Sequence, residues 1–296
     1  MTEAEWLTSK IPRAMLKALI QPDSPTQYLR KLKPEDRAKA RRLDRKLRLF
    51  ACASVRRVWH LLEDERSRRA VEVSERYAEE MANPEELDAA GSDAHSAASQ
   101  LYRVGGLAAA DMASIEDRRA NERPDSPVPG DTQAERIWEA AHAAYKVTSR
   151  KIGISPRINV VFDSAWAAVF GASRSASDAL AGIAELRARE ASYEAAVKAD
   201  DVPACRYYED SCQSNLLRCI FGNPFRPVYL EPAWLTPDSV MLARSIDEGR
   251  SFDLMAFLGD ALEEMGCSDV AVLNHCRQLG EHARGCWVID AMRGVV

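Results

Sequence analysis

The sequence predicts an all-α fold, a multi-helix bundle ending in a stacked module of short C-terminal helices. Three observations predict it. Every long apolar pattern steps by three or four residues, the period of a helix with one buried face. Prolines, glycines and small polar residues stand where such helices would start and stop. The one run that reads as a strand, Val160-Val161-Phe162, has no second strand to pair with.

The chain is organised around Arg45–Met81. Leu47, Phe50, Ala51, Val55, Val58 and Leu62 form one stripe, and Ala70, Val73, Tyr77 and Met81 resume it after the charged joint Glu63–Arg66. Two successive core-facing helices follow from this spacing. Ahead of them, residues 1–33 read as short helical pieces broken by Pro12, Pro22 and Pro25. Pro34, followed by Glu35 and Asp36, suits a helix start, because proline tolerates the first turn and acids favour its positive end.

Beyond Met81, Asn83-Pro84-Glu85-Glu86 restarts the chain, and an alanine-rich region runs to about Glu122. Arg123–Gly130, with three prolines, must be a loop. Asp131 or Thr132 caps a helix through Ile137, Trp138, Ala141 and Tyr145. The apolar run Arg157–Gly171 suits burial, Ser177–Ala199 suits a long helix, and another helix runs from Asp200 to near Cys219. The segment 221–236, rich in aromatics and prolines, must be irregular. Short helices follow. Thr236 caps one ending at Gly249, Ser251 caps a second ending at Gly266, Ser268 caps a third to about Gln278, and a last one carries Trp287, Val288 and Met292.

Composition narrows the function classes. With 296 residues, 46% hydrophobic and 29% charged, the chain is an ordinary globular protein. A net charge of −5 argues against indiscriminate coating of nucleic acid. The acidic opening Met1–Trp6 lacks the layout of a signal peptide, and no apolar run approaches the roughly 20 residues that span a bilayer. The expectation is a cytoplasmic protein with no membrane partner. Seven cysteines, an odd number in a chain with ample core, point to reduced thiols.

Several blocks carry a resemblance. The opening MTEAEWL, the block DRKLRLFACA with RRVWHLLEDERSRRAVEVSERYAEE, FGNPFRPVYLEPAWLTP, and the ending ALEEMGCSDV, LNHCR and RGCWVID resemble an uncharacterised bacterial protein family known mainly from planctomycete genomes. The matching blocks lie toward both ends, and residues 84–200 match loosely. Against the family's shorter link, Gln21–Leu43 reads as an insertion. The resemblance implies one folded unit over 1–296 and transfers no activity, cofactor or catalytic residue. Within that unit the pattern distinguishes an N-terminal region (1–122), the loop 123–130, central helices 131–220, the connector 221–236 and the C-terminal module 237–296.

Three groups of residues invite chemistry. Cys205, Cys212 and Cys219 recur on one helix face, but seven helical residues rise about 10.5 Å, too far for neighbours to share a metal or a disulfide. They read as core residues. Cys267-x8-Cys276-x5-His282-x3-Cys286 has the spacing of a four-ligand zinc site. A helix over 268–278 holds Cys267 and Cys276 about 13 Å apart, which leaves Cys276, His282 and Cys286 to converge near Gly280, with His275 as a fourth ligand. The expectation is packed thiols and no zinc. Glu139-x-x-His142 has di-iron spacing but lacks the second copy such a site needs, and His60 with Glu63 is an ordinary helix pair.

The third group is basic: Arg37, Lys39, Arg41, Arg42, Arg45, Lys46, Arg48, Arg56 and Arg57 are a candidate phosphate-binding face. It lacks interleaved aromatics for base stacking, and Glu35, Asp36 and Asp44 dilute it. The chain has no G-x-S-x-G, P-loop, H-E-x-x-H or dinucleotide glycine fingerprint, so the reading leans away from an enzyme. The preferred expectation is a non-catalytic helical protein that binds another protein. The alternatives are a nucleic-acid binder using segment 30–57, and then a small zinc-site protein or an enzyme with scattered residues.

Overall fold

A computed structural model describes residues 1–19, 34–104, 133–148, 202–278 and 280–295. The protein is all-α, and all regular structure among the described residues is helical. In chain order the helices are α1 (Glu3–Thr8), α2 (Pro12–Leu19), α3 (Pro34–Arg56), α4 (Glu65–Ala78), α5 (Pro84–Val104) and α6 (Gln133–Lys146). They continue with α7 (Val202–Phe221), α8 (Pro237–Gly249), α9 (Met255–Glu264), α10 (Val270–Arg277) and α11 (Trp287–Arg293). The loop 123–130 and the patterns read over 157–171 and 177–199 lie outside the described residues.

Two compact units divide the chain. Among the described residues, the first takes those up to Ala53 and from Asp210 onward, and the second those from Ser54 to Glu209. Helix α3 therefore contributes to the first unit up to Ala53, and α7 from Asp210.

In the first unit, α1 begins with a capping box. Thr2 Oγ1 accepts from the Glu5 N–H, and Glu5 Oε2 accepts from the Thr2 N–H. So short a helix is held by tertiary contacts. Trp6 is fully buried and donates from Nε1 to the Gly222 carbonyl at 2.9 Å. Arg218 donates to the carbonyls of Trp6 and Ser9, satisfying acceptors at the helix C-terminus. The C-terminal module surrounds a core of Ile246, Met255, Leu258, Leu262, Val272, Val288 and Ile289, joined by Cys219, Cys276 and Cys286. Helix α9 packs on α10, and α8 packs on both α9 and α11.

The helix boundaries of this module differ from the sequence reading in instructive ways. Thr236 caps α8 as its type and position require. The left-handed turn that closes α8 falls on Arg250, at φ 54°, one residue beyond Gly249. Ser251 makes no side-chain cap; a 3₁₀ turn over Phe252–Leu254 leads into α9 instead. Helix α10 is capped by Asp269 rather than Ser268, because one carboxylate oxygen accepts from two N–H groups and its charge complements the helix dipole.

In the second unit, α4, α5 and α6 pack against one another. Their contact faces are built from small residues: Ala90, Ala94, Ala97 and Ala98 on α5, and Ala140, Ala141, Ala143 and Ala144 on α6. At Gly91, a Cβ would lie 2.5 Å from Thr148 Oγ1, so glycine is what permits the approach. Ser74 on α4 donates to the Val147 carbonyl at 2.7 Å. The stripe read from Leu47 to Leu62 is buried throughout, but Met81 is exposed. Helix α4 ends at Ala78, and Glu80 at φ 58° turns the chain before Met81 is reached.

Gly285 supplies a test of the first unit. Its φ is +85°, and a Cβ there would lie 2.7 Å from Leu49 Cδ1. Gly285→Ala combines left-handed strain of roughly 1–2 kcal/mol with overpacking of roughly 1–3 kcal/mol. Denaturant unfolding should show a loss of about 2–5 kcal/mol. A change within about 0.5 kcal/mol, typical of a neutral surface substitution, would contradict this packing.

Candidate functional site

Helix α7 carries Cys219 within its last turn, and α10 carries His275 within its last turn. The irregular segment between α10 and α11 supplies His282, and Cys286 occupies the cap position of α11. Helix packing within the first unit brings these four together. Their donor atoms all lie within 4.8 Å of one another, and no other such group of three or more exists among the described residues.

The contacts inside the group are specific. His275 Nε2 lies 3.2 Å from Cys286 Sγ, and His282 Nδ1 lies 3.7 Å from Cys219 Sγ. The two imidazoles meet edge to face, with centroids 4.9 Å apart. His282 Nε2 is buried without a hydrogen-bond partner. On its outer side His275 presents Nδ1 to the Gln278 amide at 3.2 Å.

The electrostatics follow from enclosure. The Cys219 thiol is pushed well up, first by its hydrogen bond to Cys286 and then by burial. For Cys286, burial acts upward, but the hydrogen bond from Cys219 and the charge and hydrogen bond of His275 outweigh it, so its thiol is lowered. Lys46 is pushed down by burial, against the attraction of Asp290 and of the two sulfurs. A thiolate beside an imidazole is also the pairing of a cysteine nucleophile. Cys219 and Cys286 are fully buried, however, so a substrate carbonyl has no approach to either sulfur.

The structure brings together His275, His282 and Cys286 from the set read in the sequence, with Cys219 in the place given to Cys276. Cys276 packs into the core, its Cβ so near Gly259 that a Cβ there would lie 2.9 Å away. Burial pushes its thiol up to about 12. Cys267 is likewise buried and its thiol raised by burial. Sequence reasoning placed Cys219 with the core cysteines because no spacing motif links it to the others; only the tertiary fold does. Cys212 is half-buried, and the side chains of Cys205 and Glu139 lie outside the described residues.

The basic segment divides into cations turned inward and cations turned outward. Arg45 makes a two-pronged pair with the buried Asp290 at 2.6 and 2.9 Å, and Lys46 donates to the Ile220 carbonyl. Arg48 is buried and pairs with Asp44 at 3.8 Å. Arg56 grips Glu75, and Arg57 grips Glu209, each through two nitrogens. Lys39, Arg41 and Arg42 are exposed, and the Arg37 side chain lies outside the described residues. Five of the nine cations therefore act as internal partners, four of them for buried or half-buried carboxylates.

This division is testable by unfolding. Arg57→Ala strips the buried Glu209 of its guanidinium and should cost about 3–5 kcal/mol. Arg41→Ala should stay within about 0.5 kcal/mol, as an exposed side chain does. Equal costs would contradict the division. No family model matches the chain, and comparison with curated proteins and with solved structures finds no match to it.

Proposed function

We propose that this is a non-catalytic, cytoplasmic helical protein that works by binding another protein. The observation that supports it is a contrast in which side chains face inward. In the cysteine–histidine cluster Cys219, His275 and Cys286 are buried and His282 is half-buried, while large apolar side chains of the C-terminal module are turned outward. Met241 is 65% exposed, Phe257 64% and Val270 67%. Exposed aromatic and methionine side chains are favoured where proteins meet. No helix among the described residues is long and apolar enough to cross a membrane. The resemblance to the planctomycete family adds no catalytic residue to set against this reading.

The nucleic-acid alternative retains only the exposed cations Lys39, Arg41 and Arg42 among the described side chains. Counterion release gives a log–log salt slope of roughly −0.9 per phosphate neutralised, so about −8 for nine contacts and about −3 for three. Titration of duplex DNA and of RNA across a salt series should show either no binding or a slope no steeper than about −3. A slope near −8 would establish the nine-cation face and displace the protein-binding reading.

Affinity capture from lysate with the tagged full chain, under nuclease, tests the preferred reading directly. A discrete partner should be recovered, and the Met241→Asp, Phe257→Asp, Val270→Asp triple variant should lose it while keeping its helical circular dichroism. Recovery that is unchanged in the variant, or that disappears with nuclease, overturns the reading.

A further inference from the structure

We propose that Cys219, His275, His282 and Cys286 form a closed, tetrahedral binding site for a single Zn²⁺ ion that fastens the C-terminal module of the first unit. This goes beyond a protein-binding role and does not depend on it.

The donor set and its geometry argue for the metal. Zinc bonds thiolate sulfur at about 2.3 Å and imidazole nitrogen at about 2.0–2.1 Å, so the sulfur–nitrogen edge of its tetrahedron is roughly 3.6 Å. Two of the four sulfur–nitrogen separations, at 3.2 and 3.7 Å, bracket that edge, and all four donors lie within 4.8 Å of one another. Two sulfurs and two nitrogens on a tetrahedron select zinc over the hard cations, which take oxygen. Four protein ligands with no open position make the site structural rather than catalytic.

Charge and hydrogen bonding argue the same way. Two thiolates, two neutral imidazoles and Zn²⁺ sum to zero, a net charge that an apolar core accepts. With His282 Nδ1 facing the Cys219 sulfur as the ligand atom, the ring proton sits on the buried Nε2. His275 has its outer partner in place. With Nε2 on the metal, the ring proton sits on Nδ1, and the carbonyl end of the Gln278 amide turns to accept it across the same 3.2 Å.

Location explains what the ion would do. Among the described residues between Arg277 and Trp287 there is no regular helix. His282 and Cys286 are its inward anchors. An ion shared with Cys219 and His275 ties that segment to the ends of α7 and α10.

The full chain purified without chelator and dialysed against zinc should carry one zinc per chain by elemental analysis. Cobalt substituted into it should show the intense visible bands of tetrahedral Co²⁺ together with a thiolate charge-transfer band. Cys219→Ala and Cys286→Ala should lose the metal and that band, whereas Cys276→Ala and Cys267→Ala should keep both. Because a ligand variant can also fail to fold, Gln278→Ala gives an independent measure. Its side chain is exposed, and loss of the outer partner of His275 should weaken zinc about 10–100-fold in competition with a chromophoric chelator. A folded wild-type chain that takes up no zinc, or full metal content in Cys219→Ala or Cys286→Ala, overturns the proposal. An unchanged affinity in Gln278→Ala overturns His275 as a ligand.

Discussion

The buried carboxylate of Asp290 constrains much of the first unit. It stands on α11 beside the C-terminal core, and an unpaired charge there would cost several kcal/mol. Arg45 neutralises it through two short bonds, which fixes the position of α3 relative to α11. Lys46 and Leu49 then face the same neighbourhood, Lys46 donating to the last turn of α7 and Leu49 filling the space over Gly285. The four sulfur and nitrogen donors lie within the frame that these contacts set.

The same logic explains why a basic stretch of sequence is largely not a basic surface. A helix buried on one face presents about half its residues inward, and α3 carries too many arginines for all of them to face solvent. The structure accommodates two of them by placing a partner opposite, Asp290 for Arg45 and Glu75 for Arg56, and does the same with Glu209 for Arg57 just past the helix. Such pairs contribute little net stability relative to apolar packing, but they are unforgiving of loss, because either partner alone is a stranded charge. They therefore fix register more than they add stability.

This also marks what was legible in the sequence. Period and punctuation carried the fold class, the stripe from Leu47 to Leu62 and the cap at Thr236, because these depend on residues within a few positions of one another. The destinations of Arg45 and Arg57 were not legible, since their partners lie 245 and 152 residues away. The site followed the same rule. His275, His282 and Cys286 are close in sequence and showed as a spacing pattern. Cys219 belongs to a helix more than fifty positions upstream and was legible only as an apolar residue. Cys276 had the better spacing, but it lies one position from His275, and consecutive helical residues point about 100° apart. If His275 faces the cluster, Cys276 must face elsewhere, and it meets Gly259.

A chain with this much buried apolar surface does not need a metal to fold, and that consideration favoured packed thiols in the sequence reading. The structure relocates the question from the whole core to one segment. Between α10 and α11, among the described residues, Glu281 is exposed and Arg284 turns toward Asp247. Among the described residues of this stretch, Ala283, Gly285 and Cys286 are buried and His282 is half-buried, and His282 and Cys286 are donors in the cluster. As packed residues, two imidazoles and two thiols make a poor core, because they bury polar nitrogen and leave His282 Nε2 unsatisfied. The zinc ion proposed above would turn the clustered sulfurs and the inward imidazole nitrogens into ligands. Such a bond would act on this one stretch of chain, which a generous core elsewhere does not hold.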